Sequence, residues 1–95
     1  MNIRKIKLAL TVDLLNEPDV ENPLHSAKNV MHKYQSEAGN YRGTSLTNRT
    51  QLNENLEKST HALLFDNCTL DINLISDRRA TKSLIQGFDL HENLS

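Results

Sequence analysis

Few residues in this 95-residue chain have the type and spacing to do chemistry. The four histidines are His25, His32, His61 and His91. A metal ion wants ligands one helical turn apart or paired cysteines. His25 and His32 are seven positions apart. On a helix they share a face, but lie about 10 Å apart along the axis, too far for one ion. His25 beside Asp19 or Glu21 is the remaining combination, and solvated histidines are the simpler reading. Cys68 and His61 can be drawn as nucleophile and base on facing strands. Cys68 is also in phase with Leu70, Ile72 and Leu74, which makes it a small buried hydrophobe. The carboxylates have no apolar setting that would raise a pKa. Gly39, Gly43 and Gly87 are too scattered to cradle a phosphate. The sequons at Asn48, Asn67 and Asn93 are coincidences of an Asn-rich chain. The expectation is a protein that is not an enzyme, with no catalytic residue, no cofactor and no metal.

Binding is the chemistry that remains. Tyr and Arg are enriched at interface hot spots. Tyr41, Arg42 and Arg49 lie in a polar stretch at 39–50 and are the expected contacts to a partner protein, together with one face of a helix at 23–38. A second set of residues is basic: Arg4, Lys5 and Lys7 near the start, and Arg78, Arg79 and Lys82 further on. If the two ends meet in space they form one positive patch for duplex nucleic acid.

The elements that must position these residues follow from periodicity. In 5–14, Ile6, Leu8, Leu10, Val12 and Leu14 alternate with Lys5, Lys7, Ala9, Thr11 and Asp13. That alternation predicts a strand. A helical reading through Ile3, Ile6, Leu10 and Leu14 fits less completely. Pro18 and the acids around it predict a loop. Asn22-Pro23 starts a helix over 23–38, with Leu24, Ala27, Met31, Tyr34 and Ala38 on one face and Gly39 as its stop. The composition of 40–50 marks a loop, with room for a short extended piece at 44–46. For 50–65 two readings stand: one long helix, or a short helix from 51 to 59 followed by a strand. Leu63 and Phe65, then Cys68, Leu70, Ile72 and Leu74, predict a hairpin over 61–75 turning at Asp66-Asn67. Ser76-Asp77 caps a shorter C-terminal helix ending at Gly87; for 88–95 two readings stand, a frayed tail or Phe88 tucked back on the core. The fold class is α+β: a small, mainly antiparallel sheet, made of strand 5–14 and hairpin 61–75, packed against helix 23–38 and the C-terminal helix. The chain is one small domain, 1–95.

Alternating Lys5, Lys7, Ala9 and Thr11 resemble the exposed positions of the N-terminal strand in ribbon-helix-helix proteins. In that family a dimeric ribbon enters the DNA major groove. The resemblance covers only this strand and the next helix. The strand is longer, the loop with Pro18 more extended and the hairpin foreign to the family, so the chain is not assigned to it.

Composition sets the outer bounds. Hydrophobic residues make up 37% and aromatic ones 4%, and mean hydropathy is -0.57. So thin a core makes self-association as a homodimer a natural route to more buried area. A net charge of -1 argues against nucleic-acid binding by bulk charge. No apolar run approaches the roughly 18 residues of a membrane span. No signal peptide is recognised, and Cys68 is alone, so the expected location is cytoplasmic. The function expected is that of a small non-enzymatic binding protein: a regulator, inhibitor or adaptor of the kind bacteria and phages encode in short reading frames. Its protein partner is not specified by the sequence. The alternatives are a dimeric DNA-binding regulator and a small-ligand sensor with its ligand between sheet and helix.

Overall fold

A computed structural model describes residues 2–15, 22–80 and 83–93. The expected loop around Pro18 and the basic residue Lys82 lie outside the described residues. In order, the elements are helix α1 (Ile3–Leu10), which continues as a wider π-helical turn over Thr11–Leu15, helix α2 (Pro23–His32), a single-turn helix α3 (Gln35–Ala38), and strands β1 (Tyr41–Gln51), β2 (Leu56–Phe65), β3 (Cys68–Asp77) and β4 (Ser83–Glu92). The strands form one antiparallel meander in the order β1-β2-β3-β4. The helices cover one face of it, so the α+β class with a mainly antiparallel sheet is the one found.

Segment 5–14 is a helix and not a strand. Asn2 caps it, its side chain accepting the Lys5 amide at 3.1 Å. Two apolar stripes, each at i, i+4 spacing, explain the misleading alternation. Ile6, Leu10 and Leu14 are fully buried on the inner side. Leu8 and Val12 lie on the outer side, 67% and 51% exposed. Two such stripes offset by two residues are indistinguishable from a strand pattern by eye. The ribbon-helix-helix resemblance falls with the strand.

Helix 23–38 is present, capped by the Asn22 side chain on the His25 amide and opened by Pro23. It breaks at Lys33-Tyr34, whose amides bond to Val30 and Met31, three residues back. Gly39 closes the segment at a φ of 87°, and a side chain there would also collide with Asp66.

The remaining corrections concern strands. Residues 41–51 form β1 where a loop was expected; almost none of its side chains is buried, so no apolar alternation marks it. The segment from 51 carries no helix. A turn at Leu52–Asn55 leads into β2, with the Asn53 side chain accepting the amides of Asn55 and Leu56. The hairpin with its Asp66-Asn67 turn is present, extended to Leu56 and Asp77. The C-terminal helix expected up to Gly87 is not found among the described residues 78–80 and 83–87. Arg78 and Arg79 make the turn, and Ser83–Glu92 is β4, which also takes in most of the expected frayed tail. The register shift between Asn73 and Leu74 leaves Gln86 without a partner. That bulge gives Ile85, Phe88 and Leu90 the uneven spacing that hid the strand.

Cross-strand pairing sorts the side chains. Leu63↔Leu70↔Leu90 and His61↔Ile72↔Phe88 face the helices. Thr69, Asp71, Asn73 and Ile75 face the other way. The core joins Ile6, Leu10 and Leu14 of the first helical segment and Ala27, Val30 and Met31 of α2 to Leu63, Leu70, Ile72, Ile85 and Leu90 of the sheet.

Candidate interaction surfaces

The helical layer leaves most of β1 uncovered. That strand is an edge, paired only with β2. Its Tyr41, Thr44, Leu46 and Arg49 are paired with Phe65, Leu63, His61 and Ser59, which puts them on the helix side of the sheet. Yet Tyr41 and Leu46 remain exposed, Leu46 at 51%. Two register shifts, at Arg42 and Thr47, bend the strand. Such bulges protect an edge from indefinite pairing. Between and beyond them, Gly43–Leu46 and Asn48–Gln51 keep regular register.

All three expected partner contacts lie on this strand. Tyr41 packs on Phe65 with ring centroids 5.7 Å apart, and its hydroxyl meets the Thr44 hydroxyl. The Lys28 ammonium of α2 stands 4.3 Å from the Tyr41 ring centre. Arg42 pairs with Asp66, which also accepts the Asn40 amide at 2.8 Å. That amide first, and Arg42 next, hold the Asp66 carboxyl below its ordinary range. Arg49 pairs with Glu57. Both arginines are thus oriented along the edge by carboxylates while their side chains stay exposed.

Between α2 and β1 runs a groove of about 450 Å³, lined by His25, Lys28, His32, Gln35, Tyr41 and Phe65 among others. Among its described lining residues there is no carboxylate. The helix residues recur at turn spacing and form the wall. The groove is one space between α2 and the sheet; another lies beside Pro23, His61 and Leu74.

The other candidates separate. Arg4, Lys5 and Lys7 are on α1, whose start is tied through the Asn2 amide to Glu37. Glu37 in turn accepts the Asn67 side chain with its carbonyl, so these residues stand at the β2–β3 turn. Arg78 and Arg79 sit at the opposite end, where the Arg78 amide bonds to Asn55 and Arg79 pairs with Asp77. The ten residues of β3 between them span roughly 30 Å. These described residues make no single basic patch. His61 faces Ile72, four strand positions and about 13 Å from Cys68. Cys68 is buried, and burial pushes its thiol up, away from the reactive thiolate. Burial also lowers the pKa of His61.

The pairing brings together one group that no sequence spacing marks. Asp71 faces Asp89 across the strands, with His91 two residues on, their ligand atoms all within 4.8 Å of one another. The group lies on the open sheet face, and His91 contacts Asp71 at 3.2 Å. No buried donor completes it, and it is read as a surface pair.

No family model matches this chain, and no curated protein or solved structure shows significant similarity to it.

Proposed function

We propose that the protein is a non-enzymatic binding protein, a regulator, inhibitor or adaptor, that holds a partner protein along β1. The observation that carries this reading is the largely uncovered helix-side face of that edge strand, with Tyr41, Leu46 and Arg49 in a row and Tyr41 lining the α2 groove. An edge strand offers unpaired amides and carbonyls, and an extended partner segment adds to it by main-chain hydrogen bonds while alternate side chains enter pockets. Tyr41 and the two arginines supply the large, oriented side chains that dominate interface energetics. The burial of Cys68 and its distance from His61 favour a binding role over nucleophilic catalysis.

The test is capture by the purified, tagged chain from extracts of its source cells. Leu46→Asp, at an exposed position, and the pair Tyr41→Ala and Arg42→Ala are compared with the parent. The expected result is loss of the same captured protein in all three variants while their unfolding curves stay cooperative. Capture that survives all three assigns binding to another surface.

A further inference from the structure

The outward face of α1 is apolar where a solvent-facing helix is normally polar. Leu8 and Val12 stand one turn apart, and Leu15, on the π-helical turn, continues the exposed stripe. Beside it run Lys5, Ala9 and Asp13, again at i, i+4, i+8. With Tyr34, these residues line a shallow trough of about 370 Å³ on the helix surface. The inner side of the same helix is already satisfied by Ile6, Leu10 and Leu14 in the core.

We propose that two copies of the chain associate through these outer faces of α1, packed antiparallel about Ala9. The argument is the order of charge and size along the face. Lys5 and Asp13 stand four residues on either side of Ala9. In an antiparallel pair with its two-fold axis at Ala9, Lys5 of one copy comes beside Asp13 of the other, twice. A parallel pair would set Lys5 against Lys5 and Asp13 against Asp13. Ala9 at the axis lets the helices approach closely. Leu8 and Val12 form one i±4 ridge, and Lys5, Ala9 and Asp13 the next, the arrangement that interdigitates in helix packing. The same patch meets itself, as a two-fold dimer requires. Asp13 already has an exposed partner in Lys33 at 3.8 Å. Its carboxylate is 43% exposed and still faces solvent.

One helix per copy makes a small interface, below about 1,200 Å², so the association is reversible rather than permanent. The helix packs on α2 and β4, away from β1. Dimerisation therefore leaves both β1 edges free and makes the binding protein of the preceding section bivalent. The two readings fail independently.

The experiment is sedimentation equilibrium of the full chain over a wide concentration range. The expected result is a monomer–dimer equilibrium. Lys5→Glu and Asp13→Lys should each weaken it, by roughly tenfold, since each change sets two like-charge contacts in place of two attractive ones. The double variant Lys5→Glu/Asp13→Lys should return to near the parent value. Val12→Glu should weaken dimerisation by roughly a hundredfold, because it buries a carboxylate in an apolar seam. Unfolding curves for each variant establish that the monomer is intact. A chain that stays monomeric throughout overturns the proposal. So does a dimer indifferent to Val12→Glu, which places the contact elsewhere, or a double variant no tighter than the single ones.

Discussion

The ammonium of Lys28 sits 4.3 Å from the centre of the Tyr41 ring, and that contact joins α2 to the edge strand it otherwise leaves uncovered. Cation–π pairs at exposed sites contribute about 0.5–1 kcal/mol. A double-mutant cycle with Lys28→Met and Tyr41→Leu, read by urea unfolding, should give a coupling of about that size. A coupling indistinguishable from zero would mean that the groove wall and the strand are energetically independent.

The two sides of α1 should respond oppositely to truncation. Leu10→Ala removes a fully buried side chain and should destabilise by about 2–5 kcal/mol. Leu8→Ala, two residues away on the outer side, should stay within about 0.5 kcal/mol in dilute solution. Chemical denaturation of both variants checks this, and equal losses would contradict the helical assignment.

Stability should fall in two windows as the solution is acidified. Burial lowers the His61 pKa, so the folded state favours the neutral ring. Its contribution is present above the ordinary histidine value of 6.5 and is lost as pH falls through the lower folded value. Asp66 and Asp77 are held below the ordinary 3.8, chiefly by the amides of Asn40 and Arg79 respectively. Their contributions are present above 3.8 and disappear as pH drops through the folded values. His61→Gln should remove the first window and Asp66→Asn should shrink the second, measured as unfolding midpoints across pH. Midpoints for Asp66→Asn that stay below the parent even at the acid limit would contradict the assignment.

Cys68 should be slow to react. It is fully buried and its thiol is shifted upward, by burial first and by Glu92 next. Labelling by a thiol reagent should be slow in buffer and complete in denaturant. Fast labelling in buffer would show that the start of β3 opens readily.

What the sequence made legible was decided by burial on one face. β3 is the clearest case: Cys68, Leu70, Ile72 and Leu74 all enter the core, so period two is unbroken and the hairpin with its Asp66-Asn67 turn could be read. The Asn22-Pro23 helix start was legible because capping is local chemistry. β1 was not, because its order comes from pairing with β2, and its exposed Thr, Asn and Ser residues have the composition of a loop. β4 was obscured by the bulge at Gln86. The error at 5–14 has a different source: the helix carries an apolar stripe on each side, the inner one buried and the outer one of Leu8 and Val12 exposed. Tyr41, Arg42 and Arg49 were singled out by residue type alone; the structure places all three on β1, an element that the sequence did not mark. The groove between α2 and β1 became visible only when the two elements were placed side by side.

Amide hydrogen exchange across β1, in the free chain and with its captured partner bound, tests the proposed function most directly. The outward amides of an edge strand have no ladder partner and exchange quickly. Binding by strand addition should slow those of Gly43–Leu46 and Asn48–Gln51. Unchanged exchange along β1, with slowing confined to the helices or to the outer sheet face, would contradict the edge-strand reading.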